Sequence, residues 1–204
     1  RMSPLVALKS PWAVLGALAI FFYVGSEVTI GDLLTNFLHS PDILNVPLAA
    51  AGSMVAWYWG GAMVGRLVGG LLMLTKIPAT TILIVNTAVA AALCLVVTQT
   101  SGTTAAYAAI AIGFFNSIMF PTIFTLTLER STAPIPATSG LLVFGIIGGA
   151  VLPPVAGQIA DQAATLNPVF YVPLAGYLLL VGFALAASRA KVRNAAASGT
   201  PGSH

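Results

Sequence analysis

Glu27 stands in the middle of an apolar run, Phe21-Phe22-Tyr23-Val24-Gly25-Ser26-Glu27-Val28-Thr29-Ile30-Gly31. Between Trp12 and Leu38 the only other charge is Asp32. At about 1.5 Å per helical residue, a helix crossing a bilayer over this stretch would carry the Glu27 carboxylate near the midplane. An ionised group at that depth costs on the order of 2.5–3.5 kcal/mol on insertion scales, so it faces a bundle interior or a wet cavity. A carboxylate so placed can bind a substrate or carry a proton; the plainer role is a protonated side chain bonded to a neighbouring helix. Tyr23, Glu27, Gly31 and Leu34 share one helical face, which puts an aromatic ring one turn from the carboxylate. A second polar group, Asn116, Ser117, Thr122, Thr125 and Thr127, surrounds Pro121 in another apolar segment.

The elements that must hold these residues follow from composition. Hydrophobic residues make up 58% of the 204, charged residues only 6%, and the mean hydropathy is +0.97. Soluble domains are about one quarter charged, so the chain reads as an all-α integral membrane protein. Six apolar segments are expected to cross the bilayer, at residues 12–38, 46–73, 79–98, 105–128, 137–159 and 169–188, within one unit over 1–193. Turn residues separate them: Ser40-Pro41-Asp42, Lys76-Ile77-Pro78, Thr100-Ser101-Gly102, Ala133-Pro134-Ile135-Pro136 and Leu166-Asn167-Pro168. The Ala/Ser/Gly-rich tail, 194–204, reads as disordered, and the opening residues Arg1-Met2-Ser3-Pro4-Leu5 lack the pattern of a signal peptide.

Cations fall near both ends and in the loops after the second and fourth spans, whereas the other three loops have no Lys or Arg and hold Asp42 and Asp161. By the positive-inside rule both ends of the segment lie in the cytoplasm. The net charge of +3 is therefore a matter of topology and not of nucleic acid, which is not expected as a partner. Cys94 is the single cysteine, so no intrachain disulfide forms, and no Cys/His cluster offers a metal site. An intramembrane serine protease needs a histidine at membrane depth, and the two histidines, His39 and His204, lie in a loop and the tail. No enzyme activity and no cofactor are expected. An aquaporin-type channel is disfavoured because the sole Asn-Pro pair, Asn167-Pro168, sits in a loop.

Glycine is concentrated in the second and fifth spans. Gly61, Gly65 and Gly69 form two overlapping small-xxx-small motifs, which more often mean helix packing than a ligand site. Gly148 and Gly149 precede Pro153 and Pro154, which should kink or loosen the fifth span. The third and sixth spans are bland and read as lipid-facing supports.

Three strings carry a family resemblance: Tyr23-Val24-Gly25-Ser26-Glu27-Val28, Gly65-Arg66-Leu67-Val68-Gly69-Gly70 and, most specifically, Gly113-Phe114-Phe115-Asn116-Ser117-Ile118-Met119-Phe120-Pro121-Thr122-Ile123-Phe124-Thr125-Leu126. The chain resembles the C-terminal half of a major facilitator superfamily transporter, in the glucose/galactose branch of the fucose-galactose-glucose:proton symporter family. The resemblance implies helices seven to twelve of a twelve-helix carrier in a bacterial-type inner membrane, built from two inverted three-helix repeats and partnered by an N-terminal half outside this chain. It implies a hexose as substrate and a proton as coupling ion, with sodium the other choice.

A sugar presents hydroxyls that donate and accept, with apolar ring faces between them, so Glu27 and Asn116 are the expected hydrogen-bonding residues and Tyr23 or Phe114 the stacking rings. Glu27 is also a proton-coupling candidate. Since fucose-type members carry glutamine at its position, sugar recognition is favoured over titration. The resemblance further implies a cytoplasmic gate between Arg66 and Glu129, against the plainer pairing of Glu129 with Arg130. The rival to the half-carrier is a self-contained six-span protein acting as a homodimeric carrier or structural assembly.

Overall fold

A computed structural model describes residues 2–194. The expected disorder of 194–204 lies, but for Asn194, outside the described residues. The chain is all-helical among these residues. A short 3-10 turn, Pro4–Lys9, precedes α1 (Pro11–His39), α2 (Leu48–Met73), α3 (Ala79–Gln99), α4 (Gly102–Asn116), α5 (Met119–Arg130), α6 (Ile135–Gly145) and α7 (Gly148–Gln162). A second 3-10 turn, Asn167–Phe170, leads into α8 (Tyr171–Arg189).

The α4–α5 and α6–α7 pairs are each one long rod with a break. Pro121 lies four residues beyond Ser117, so the Ser117 carbonyl loses its helical donor and meets the proline ring, and the helix breaks at residues 117–118. At residues 146–147 the backbone tightens into i→i+3 bonds, Ile147 N–H to Phe144 C=O at 3.2 Å and Ala150 N–H to Ile147 C=O at 2.9 Å. Five stretches are long and apolar enough to cross a membrane: Pro11–His39, Ala79–Gln99, Gly102–Arg130, Ile135–Gln162 and Asn167–Arg189. The 26-residue α2 is long enough, about 39 Å at the standard rise, but falls outside that set. Trp57-Tyr58-Trp59, Arg66 and its many glycines dilute the hydropathy of α2.

Helix approach is set by glycine. A Cβ at Gly65 would lie 2.0 Å from the Phe114 carbonyl oxygen, and one at Gly113 would lie 2.1 Å from that of Tyr58, so α2 and α4 meet backbone to backbone. The Gly61/Gly65/Gly69 motif is thus a packing seam: Gly61 and Gly65 face Phe114, and Gly69 faces Ile118. The same device joins α1 to the α6–α7 rod, where a Cβ at Gly148 would fall 2.0 Å from the Phe21 carbonyl oxygen and one at Gly145 2.5 Å from that of Ala17. The bland α3 and α8 pack on each other and bury Leu83, Cys94, Tyr177 and Leu180 completely, so they are core elements as well as outer ones.

Hydrogen bonds gather the helix ends into two groups. At one end Gly102 N–H donates to Asp42 C=O at 2.9 Å, and the Asn167 amide donates to Val97 and Thr100 carbonyls at 2.8 and 2.9 Å. At the other, Ser10 accepts from Thr132 N–H at 3.1 Å, while Arg193 and Asn194 N–H groups donate to Glu129 C=O at 2.7 and 3.0 Å. There the buried Arg130 donates to Ala187 C=O at 2.9 Å, near the C-terminus of α8 where the helix dipole favours a cation.

Candidate functional site

Asn116 is the last residue of α4, at the break that Pro121 imposes. It is 1% exposed and completely engaged with tyrosines. Its Nδ2 donates to the Tyr58 hydroxyl at 2.7 Å, its Oδ1 accepts from the Tyr177 hydroxyl at 2.5 Å, and its carbonyl accepts from the Tyr23 hydroxyl at 3.0 Å. Tyr58 in turn donates to the Glu27 backbone carbonyl at 3.3 Å. One buried network therefore joins α1, α2, α4 and α8 at the point where the α4–α5 rod changes direction. An interrupted helix at membrane depth is tolerated where its freed backbone is protein-bound, and the Tyr23 bond does this for the Asn116 carbonyl.

Glu27 lies on α1 beside this network and is half-buried. Tyr23 lies one turn away on the same helix, its hydroxyl donating to the Asn116 carbonyl at 3.0 Å, and Arg66 of α2 makes no ion pair with the carboxylate. No cation among the described residues pairs with it directly. The carboxylate is thus held beside phenols but not consumed by them, which leaves it able to accept bonds from a hydroxyl-bearing ligand or to take up a proton. Tyr23 belongs to a chain of aromatic rings: its centroid lies 6.4 Å from that of Phe120, and Phe120 lies 6.0 Å from Phe124. The Trp59 ring fills the space beside Gly31, where an added Cβ would lie 2.9 Å from it.

The four residues expected to contact sugar fall into two pairs. Glu27 and Phe114 are half-buried and present surface; Tyr23 and Asn116 are buried, with their polar atoms bonded to each other and to the network. The structure does not bring Arg66 and Glu129 together: the Glu129 carboxylate accepts from Arg130 at 3.0 Å, and Arg66 is exposed and makes no ion pair among the described residues. Sequence reading missed Tyr58 and Tyr177 as site residues. The available signal was a buried-type phenol in each of two otherwise apolar spans, since a phenol at that depth needs a partner.

No protein-family model matches the chain. The fold has solved counterparts: a crystal structure of the major facilitator superfamily transporter FucP in the outward conformation superposes with a TM-score of 0.82 at 24% identity, over 88% of this chain and 43% of that one. The chain thus has the fold of part of that major facilitator transporter.

In sequence it is similar to the glucose/galactose transporter of Brucella abortus biovar 1, 40% identical over 176 residues, or 86% of this chain and 42% of the relative. A putative glucose/galactose transporter of Helicobacter pylori strain 26695 is 40% identical over 84% of this chain and 42% of its own length. The L-fucose-proton symporter of Escherichia coli K12 is 28% identical over 85% and 38%. The chain spans less than half the length of these curated relatives and matches their C-terminal half. It is an integral membrane protein homologous to the C-terminal half of major facilitator sugar transporters.

Proposed function

We propose that the chain is one half of a twelve-helix hexose carrier, and that Glu27 lies on the wall this half contributes to the sugar cavity. The observation that carries this reading is the half-buried Glu27 carboxylate, near the middle of the 29-residue α1, one turn from Tyr23 and without an ion-pair partner among the described residues. Its setting suits hydroxyl recognition, with a carboxylate acceptor one turn from the Tyr23 ring and one turn from Gly31, beside which the Trp59 ring packs. The names of the relatives support a hexose of the glucose, galactose or fucose kind, and that of the E. coli relative supports a proton as coupling ion.

In this reading α1 to α3 and α4 to α8 form two inverted three-span repeats, six spans in all. The carrier works by alternating access, with the second half rocking against this one. The basic helix ends grouped around Ser10, Arg130 and Arg193 lie on the cytoplasmic side of a bacterial-type inner membrane. The Tyr58–Asn116–Tyr177 network fixes the broken α4–α5 rod so that Glu27 and Phe114 keep their positions.

The test is counterflow in proteoliposomes by the full-length gene product that carries this segment, with glucose, galactose, fucose and mannose. The reading expects exchange of at least one of these hexoses and its loss, by 5- to 150-fold in affinity, in Glu27→Ala, as about 1–3 kcal/mol follows the loss of a buried partner. Absence of exchange with all four, from protein that inserts normally, would overturn it.

A further inference from the structure

Between Pro11 and Phe22 the surface of α1 turned away from Glu27 is apolar. Leu18 precedes Glu27 by nine residues, which is half a turn around the helix beyond whole turns, and Leu15 and Leu18 are 45% and 50% exposed. A groove runs along each side of Leu18. The first, of about 230 Å³, lies between α1 and α8 and is lined by Leu15, Leu18, Phe22, Leu179, Gly182 and Phe183. The second, of about 250 Å³, lies between α1 and α6, with Leu8, Leu18, Phe21 and Phe144 among its walls. Gly182 keeps the first groove deep, since it is exposed and nothing lies within 4 Å of a Cβ placed on it. The depth follows from the helix pairing: Trp12 packs edge to face on Phe183 at 5.9 Å, and further along Ser26 packs on Gly176, so α1 and α8 are antiparallel. From Leu15 to Phe22 the groove is about 10 Å long, less than the roughly 15 Å of one hydrocarbon leaflet. It stops short of the middle of α1, so it lies within one half of the bilayer.

Cations stand at the loop end of both grooves. Arg189 follows Ala186, a wall of the first groove, by three residues and so shares its face one turn nearer the helix end. Lys9 adjoins Leu8 of the second groove, and Lys191 lies just beyond α8. All three are exposed, and none makes an ion pair among the described residues. Glu129, the carboxylate of this end of the fold, is taken by Arg130 at 3.0 Å. Trp12, at the start of α1, marks the same level as a membrane interface, where its amphipathic ring is favoured.

We infer that the two grooves and their cations form a site for one anionic diacyl phospholipid, with an acyl chain in each groove, Leu18 between the chains, and the headgroup phosphate at Arg189 and Lys9. Two narrow channels parted by a single side chain match two hydrocarbon chains, whereas a protein helix about 10 Å across needs one broad trough. The cations choose the headgroup. Their long stems reach headgroup depth from a helix end, and an anionic lipid supplies the counter-charge that this end of the fold withholds, while a zwitterionic one brings a cation of its own. Occupied, the site ties α1 to α6 and α8 on the flank that Glu27 does not use. The inference rests on the membrane-spanning character of the chain and not on the hexose reading.

The experiment follows the melting midpoint of the purified full-length protein in detergent, without sugar, as dioleoyl phosphatidylglycerol or dioleoyl phosphatidylcholine is added. The midpoint is expected to rise and saturate with the anionic lipid and to respond less to the zwitterionic one. Gly182→Leu fills the first groove without meeting a neighbour and should abolish the saturable response. Arg189→Ala should raise the half-saturating phosphatidylglycerol about fivefold, the share of one cation at an anionic lipid surface. Lys76→Ala, which removes an exposed cation outside the site, should leave it unchanged. Both site positions are exposed, so these variants are expected to fold. Equal wild-type responses to the two lipids, or a phosphatidylglycerol response kept by Gly182→Leu, would overturn the site. So would a loss in Lys76→Ala as large as that in Arg189→Ala, which would mean a general attraction of anionic lipid to basic helix ends. Because no sugar is present, failure here and failure of hexose exchange are separate results.

Discussion

The tyrosine–asparagine network gives a prediction that can be worked through. Tyr177→Phe removes one hydroxyl from a completely buried ring and no carbon, so it opens no large cavity and leaves Asn116 Oδ1 without its donor. An unpaired buried acceptor costs about 1–3 kcal/mol. Asn116→Ala removes both side-chain bonds, those to Tyr58 and Tyr177, and leaves two buried phenols to find other partners, although Tyr58 retains the Glu27 carbonyl. That change is expected to cost more, about 2–5 kcal/mol on the same scale. If the two residues act as one unit, Tyr177→Phe in the Asn116→Ala background removes a hydroxyl that has already lost its acceptor. The double variant should then fall short of the sum of the singles by about 1–2 kcal/mol. Unfolding by SDS titration, with the fraction folded read by tryptophan fluorescence, measures all four corners of the cycle. Additivity within about 0.5 kcal/mol would refute the coupling and reduce Asn116 to an isolated core amide.

Glycine seams supply a sharper contrast. Gly65→Ala drives a methyl onto the Phe114 carbonyl and should destabilise by at least about 1–3 kcal/mol, whereas Gly60→Ala, with nothing within 4 Å, should be neutral or stabilising by up to about 1 kcal/mol in the same titration. Glu27→Gln keeps a hydrogen-bonding group and removes titration: sugar counterflow should persist, and if proton-driven accumulation also survives, Glu27 serves recognition and not coupling. Arg66→Ala, which removes an exposed cation of α2, and Glu129→Ala, which frees Arg130, should act independently on cytoplasmic cysteine labelling. An equal and non-additive effect of the two on cytoplasmic cysteine labelling would instead support a gate formed in another access state.

Much of the fold was legible because the bilayer imposes long apolar helices and the breaks carry Pro, Gly, Ser and Asn at their turns. The glycine motif at Gly61, Gly65 and Gly69 was legible for a similar reason, since only close backbone approach rewards that spacing. What composition overstated was the hydropathy of α2, where aromatics, glycines and Arg66 replace aliphatic residues. The role of Asn116 was half legible: its polarity at membrane depth marked it, but three phenols from α1, α2 and α8 had to converge before it became a scaffold residue. That convergence is a tertiary fact with no local pattern, and Tyr177 gave no sign of it within the bland α8. The Arg66–Glu129 pairing came from placing both near one membrane face, and the structure has instead the plainer alternative, Glu129 with the adjacent Arg130 at 3.0 Å.

The most direct measurement on the central proposal places a cysteine at position 27 of the full-length protein, with cysteines outside this chain removed, and labels it with a small water-soluble maleimide. Cys94 is fully buried and should contribute little background. A cavity wall predicts labelling from water that a transported hexose slows in proportion to its occupancy, and that an untransported disaccharide leaves unchanged. A cysteine that resists the reagent in every condition, or reacts at a rate no hexose alters, would contradict the placement of Glu27 on the sugar path.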